Sequence, residues 1–146
     1  MTGSGENGGD AGTGLPVAAL LAAAREMVEM AYVPYSGFPV GAAVLTPDGT
    51  IVRGVNVENA SYGLTCCGER NAVFTAVGQG HRTIRAVAIS TPRAPGATPC
   101  GACRQVLNEF KPADGPLAII LDGPDGPIVT DLDTLLPSSF GPRELE

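Results

Sequence analysis

Basic residues are scarce in this sequence and nowhere clustered. Nine lysines and arginines face fifteen aspartates and glutamates, a formal net charge of −6. Such a chain repels polynucleotides on average, which turns the search towards a small ligand. Long apolar runs are missing too: none approaches the roughly 20 residues of a membrane span. The apolar stretch from Leu15 to Ala24 is preceded by Glu6 and Asp10 but by no lysine or arginine, so it lacks the basic start of a signal peptide. Histidine occurs once, as His81 in a polar loop, and reads as a surface residue rather than a ligand. There are only four cysteines, and two of them are adjacent. Disulfides are therefore disfavoured, and the expectation is a cytoplasmic protein with reduced thiols.

Those four cysteines lie in two stretches, Thr65-Cys66-Cys67-Gly68-Glu69-Arg70 and Pro99-Cys100-Gly101-Ala102-Cys103-Arg104. Cys100 and Cys103 form a C-x-x-C pair, a spacing that aims two sulfurs at one ion from a single loop-to-helix turn. The first stretch adds a third sulfur and, just beyond it, a carboxylate. Three thiolates leave the fourth position of a tetrahedral zinc open, as a catalytic site requires. Glu69 is then placed to move protons to and from a zinc-bound water. Cys67 and Arg70 are three apart and share a helix face. A guanidinium there offsets the excess negative charge of three thiolates on a divalent ion. The competing reading is a non-catalytic zinc staple between two helices, which has no need of Glu69.

Residues 1–14 are almost devoid of apolar side chains and are expected to be a disordered tail. Residues 15–146 are expected to form one domain. An apolar stripe at three- and four-residue spacing predicts a helix from Pro16 to about Tyr32. Val40–Thr46 and Thr50–Val55 flank Pro47-Asp48-Gly49 and read as a hairpin. A helix follows over Cys67–Val77, with Thr65 as its cap and Val73, Phe74 and Val77 as its buried stripe. Arg85–Thr91 is a central strand and Cys103–Phe110 a helix. Leu117–Leu121 and Ile128–Val129 form a second hairpin, and Asp131–Leu136 a short last helix capped by Asp131. The alternation predicts a three-layer α/β/α fold around a mixed sheet of about five strands, with the site at one edge of the sheet. Asn56 and Glu58, two apart in an extended segment, point to one side and could grip a hydroxyl group. Phe38 reads from spacing alone as a core anchor beneath its loop.

The Cys67-Gly68-Glu69…Pro99-Cys100-Gly101-Ala102-Cys103 pattern fits the three-cysteine form of the zinc deaminase signature. Three further blocks resemble the small homotetrameric cytidine deaminases: Tyr32 to Ala43, Asn56 to Gly63, and Leu135 to Pro142. The resemblance implies one zinc per chain on Cys67, Cys100 and Cys103, with Glu69 as the proton shuttle and Arg70 balancing charge. It implies hydrolysis of cytidine and deoxycytidine to the uridines with release of ammonia, a step of pyrimidine salvage. Asn56 and Glu58 would hold the ribose 3′-hydroxyl, and Phe38 would pack on the base, reversing its reading from spacing. Tyr62 and Phe140 would close pockets partly across subunit boundaries of a homotetramer. A deaminase of blasticidin-type nucleoside antibiotics is the nearest alternative, sharing the zinc ligands and Glu69. Two positions depart from the pattern. Gly68 replaces the usual alanine, and Cys66 stands directly before the ligand, where it reads as a small buried filler.

Overall fold

The structure is a computed structural model that describes residues 14–146. The expected tail lies outside the described residues except for Gly14. Five strands, β1 (Gly41–Leu45), β2 (Ile51–Val55), β3 (Ala86–Ser90), β4 (Ala118–Gly123) and β5 (Gly126–Asp131), form one sheet in the order β2-β1-β3-β4-β5. Only β3 and β4 pair in parallel, and the other neighbours are antiparallel. The mixed sheet matches the expectation. β3 is buried at every residue, as befits the middle strand of a sheet covered on both faces.

Helix α1 (Val17–Met27) covers one face, packing Leu20, Leu21 and Ala24 on Ala43, Ala88 and Ile120. The other face is covered by α2 (Gly68–Gly78), α3 (Gly101–Glu109) and α4 (Leu132–Leu135), with Val73, Leu107 and Leu132 set against Val44, Val87 and Ile119. Two glycines let helices touch strand backbone. A Cβ on Gly41 would lie 2.0 Å from the Ala24 carbonyl oxygen, and one on Gly54 would lie 2.4 Å from the Ala72 nitrogen. The α2–β2 contact is therefore backbone on backbone, and only small side chains fit around it.

This closeness corrects the expected stripe of α2. Its buried residues include Ala72, Val73 and Ala76, whereas Phe74 is 50% exposed. A phenyl ring has no room where helix and strand nearly touch. Thr65 is not the cap of α2 either. The chain is still extended there, Thr65 Oγ1 accepts from the Asn59 amide, and the residue at the cap position is Cys67. The first helix ends at Met27 and is followed by a 3-10 turn over Val28–Met30. The second hairpin is tighter than expected. Its strands extend to Gly123 and Gly126, and Pro127 pairs with Asp122 on the edge strand, where a missing N–H is tolerated. Asp131 does cap α4, its carboxylate accepting from the Thr134 amide at 2.8 Å.

Register decides where the site sits. Gly41 pairs with Val55 on one side and Ser90 on the other. Val40, Asn56 and Thr91, each one residue beyond those partners, consequently come together past the carboxyl end of β3.

Candidate active site

The helices α2 and α3 begin at this end of the sheet, with Cys67 and Cys100 as their cap residues. Cys103 lies in the first turn of α3 and is fully buried. The three sulfurs all fall within 4.8 Å of one another. Cys67 Sγ is 3.8 Å from Cys100 Sγ, which is 3.4 Å from Cys103 Sγ. Sulfurs at the usual Zn–S length of about 2.3 Å stand about 3.8 Å apart in a tetrahedron, so the donor set fits a zinc ion. Both helix N-termini direct their positive ends at the sulfurs and favour thiolate. A hydrogen bond from Cys103, helped by Arg70, pulls the Cys67 thiol down to about 5. Cys103, as donor to Cys67 and buried, has its own thiol pKa pushed far up.

Arg70 Nη2 donates to Cys67 Sγ at 3.4 Å, and its buried Nε has no hydrogen-bond partner among the described residues. A half-buried guanidinium on anionic sulfur can offset the negative charge of thiolates. The bond to Cys67 raises the Arg70 pKa still further, so it stays a cation.

Glu69 follows Gly68 in the first turn of α2 and is 5% exposed. Burial raises its carboxyl to about 7, with the charge of Cys67 adding to the effect. Gly68 itself sits tightly. A methyl group there would lie 3.2 Å from the Val40 carbonyl oxygen and 3.3 Å from the Asn56 nitrogen, pressing on two wall residues. Cys66 is half-buried and stands outside the three-sulfur cluster. Desolvation keeps its thiol raised, a poor state for a ligand. His81 is likewise half-buried.

These groups open into a cavity of about 320 Å³. Cys67, Glu69 and Cys100 line it together with Phe38, Asn56 and Glu58, and Ile89, Thr91, Ala97 and Thr98 contribute to the lining as well. Phe38 is therefore a wall of the cavity and not a core anchor. Asn56 spends most of its capacity on that wall: its Oδ1 accepts from the Val40 amide and its Nδ2 donates to the Phe38 carbonyl, each at 2.9 Å. Glu58 Oε1 accepts from the amides of Tyr35 and Ser36 at 3.0 and 3.1 Å, and its Oε2 accepts from Ser36 Oγ. The Ser36 hydroxyl is the main reason that Glu58 is more acidic than usual. One amide proton of Asn56 and part of Glu58 Oε2 remain for a ligand.

Tyr62 and Phe140 are not among the residues that line the cavity. Tyr62 is 75% exposed and meets Tyr35 edge to face with ring centroids 5.9 Å apart. Phe140 is 59% exposed, its carbonyl held by Gln105 at 2.8 Å and Asn108 at 3.0 Å. Sequence reasoning missed Ser36, Thr91 and Thr98. A hydroxyl within the Pro34-Tyr35-Ser36-Gly37 turn was a usable signal for Ser36, whereas nothing local marks the other two.

A mixed sheet, a three-thiolate metal pocket and a buried acid beside it define a metal-dependent enzyme of the zinc hydrolase kind. The family model for the cytidine and deoxycytidylate deaminase zinc-binding region matches residues 17–117. The cytidine deaminase of Sporosarcina psychrophila is 44% identical over 132 residues, covering 90% of this chain and 96% of its own. That of Halalkalibacterium halodurans is 45% identical over 127 residues, covering 86% and 95%. Among solved structures, the Burkholderia pseudomallei cytidine deaminase superposes with a TM-score of 0.79 at 43% identity, covering 86% of this chain and all of that one. The chain belongs to the cytidine and deoxycytidylate deaminase family of zinc-dependent hydrolases. No helix among the described residues is long and apolar enough to cross a membrane.

Proposed function

We propose that this protein is a cytidine deaminase that converts cytidine and deoxycytidine to uridine and deoxyuridine with release of ammonia. The observation that carries the reading is that buried Glu69 lines one cavity together with Cys67 and Cys100, with the sulfur of fully buried Cys103 within 4.8 Å of theirs. Residues 15–146 act as one deaminase domain that holds one zinc per chain through Cys67, Cys100 and Cys103. The bound zinc supplies a water activated for attack near neutral pH. Glu69 would take a proton from the activated water and deliver it to N3 as the water oxygen adds to C4. It would then take the proton of the new C4 hydroxyl and pass it to the exocyclic amine, so that C4=O forms as the C4–N bond breaks and ammonia leaves. In the metal-free chain burial raises this carboxyl towards neutrality, the range that suits a group which must both accept and donate. Arg70 offsets the thiolate charge and preserves the Lewis acidity of the centre. Phe38 packs on the base, and Asn56 and Glu58 hold the ribose 3′-hydroxyl with the capacity left to them.

The functional unit is a homotetramer in which Tyr62 and Phe140 close pockets of neighbouring copies. Support comes from the exposed apolar residues Tyr32, Tyr35, Val57 and Tyr62, which lie together through the Tyr32–Val57 bridge and the Tyr35–Tyr62 contact. Patches of this kind mark interaction surfaces.

The test mixes zinc-loaded protein with cytidine and with deoxycytidine, beside Glu69→Ala. Loss of the cytosine absorbance with stoichiometric ammonia, reduced by at least about a thousandfold in the variant, is expected. No change with either nucleoside at one zinc per chain refutes the reading.

A further inference from the structure

The cavity's two walls are separate loops. Residues 33–39 contribute Ser36 and Phe38, and the segment after β3 contributes Thr91, Ala97 and Thr98. Each loop is braced from its own side. Glu58 and Asn56 hold the first through the backbone of Tyr35, Ser36 and Phe38. The second is held by the Gly96 amide on the Asp122 carbonyl at 3.0 Å and by Thr91 Oγ1 on the Ala94 carbonyl at 2.8 Å.

Among the described residues, one hydrogen bond joins the two loops: Arg93 Nη1 donates to the Gly37 carbonyl at 2.8 Å. Gly37 has φ 64, a left-handed conformation that disfavours a side chain, and a Cβ there would lie 3.2 Å from Arg93 Nη1. Arg93 is exposed and makes no ion pair with a described carboxylate. Its guanidinium is thus committed to the neighbouring wall rather than to a charge of its own. The carbonyl it holds immediately precedes Phe38.

We propose that Arg93 is a positioning residue that straps the two walls together and sets how closely Phe38 approaches a bound base. The proposal rests on the deaminase reading for its kinetic consequence but not for its geometry. Arg93 acts through Gly37, while the sulfurs and Glu69 are held by α2 and α3. Releasing the strap therefore weakens binding of the ground and transition states alike, which raises KM and leaves kcat in place.

The experiment compares zinc-loaded wild type, Arg93→Met and Arg93→Lys in cytidine kinetics and in amide hydrogen exchange of peptides spanning residues 33–40. Arg93→Met keeps the stem and removes the donor. It is expected to raise KM about three- to tenfold at unchanged kcat and to speed exchange in that segment. Arg93→Lys, which restores a donor of similar reach, returns both readouts towards wild type. Unchanged KM and exchange in Arg93→Met, a fall confined to kcat, or a lysine variant no better than methionine would each overturn the strap. If the wild type leaves cytidine untouched, the deaminase reading fails and exchange alone decides. Faster exchange in Arg93→Met then supports the strap, and equal exchange overturns it.

Discussion

The Glu69 carboxyl ties the proposed proton transfer to stability. In the metal-free chain its pKa is raised to about 7 from an ordinary 4.5, chiefly by burial. Between those values the folded state binds more protons than the unfolded state, so this group's contribution to stability falls as pH rises through the window. Cys67, lowered to about 5 from 9.0, acts in the opposite sense from pH 5 upwards. In metal-free wild type the two terms therefore oppose each other between about pH 5 and 7. Glu69→Gln keeps the shape and removes the first. The stability of the variant relative to wild type is expected to grow by on the order of 3 kcal/mol between about pH 4.5 and 7 and then level off. Urea unfolding of the chelated proteins across this range checks it, and a difference independent of pH would show that Glu69 is not desolvated. At this scale the sequence was most legible where the chemistry was local. Cys67 and Glu69, or Cys100 and Cys103, are read together because one helical turn holds both. The clasp of Ser36 on Glu58 spans 22 positions and that of Arg93 on Gly37 spans 56, so no local spacing encodes either.

At the scale of elements, the site depends on how α2 lies on β2. A Cβ at position 54 would meet the Ala72 nitrogen at 2.4 Å, the Gly68 carbonyl oxygen at 2.6 Å and the Ala72 Cα at 2.8 Å, all backbone atoms that no rotamer change can move aside. Gly54→Ala must push the helix outward, and the start of that helix carries Cys67 and Glu69. Asn71 Nδ2, which donates to the Val55 carbonyl at 2.7 Å, would stretch with it. The variant is expected to lose about 1–3 kcal/mol from overpacking. Its kcat is expected to fall by about 10- to 100-fold, because displacements near 1 Å are costly at a reacting centre. Thermal melting and steady-state kinetics on the zinc-loaded protein check this, and intact melting and turnover together would show that the contact does not set the site. The same contact explains which elements could be read in advance. All five strands and four helices were visible from periodicity and turn residues. A hydrophobic pattern marks a stripe without measuring the gap it must fill, so it directs Phe74 inward where the structure leaves it exposed. Thr65 was assigned as a cap because the extended run up to Cys67 is imposed by the Val57–Cys66 bridge, a pairing that the motif does not reveal.

At the scale of the molecule, one chain supplies a floor and two walls but leaves Tyr62 and Phe140 outside its own cavity. The segment bearing Phe140 is nevertheless firmly built. Buried Asn108 holds its carbonyl, and Ser138 adopts a φ of 55, uncommon for a residue with a side chain. A well-braced turn that presents an exposed aromatic makes sense when the ring is used by another copy. On the proposed homotetramer, a site would combine Glu69 of one subunit with Phe140 of its neighbour. Glu69→Ala and Phe140→Ala, each expected to be inactive alone, should consequently complement when their subunits are mixed. A site built from the Glu69 of the second variant and the Phe140 of the first is intact, so random equal mixing should restore about a quarter of wild-type activity. The check is to co-refold the two chains, confirm the oligomer by light scattering, and measure cytidine turnover. If Phe140 serves only its own chain, every mixed site still lacks one of the two groups and activity stays at the level of the separate variants. Recovery would establish the shared site and the oligomer together, because neither variant can supply the missing group within a single chain.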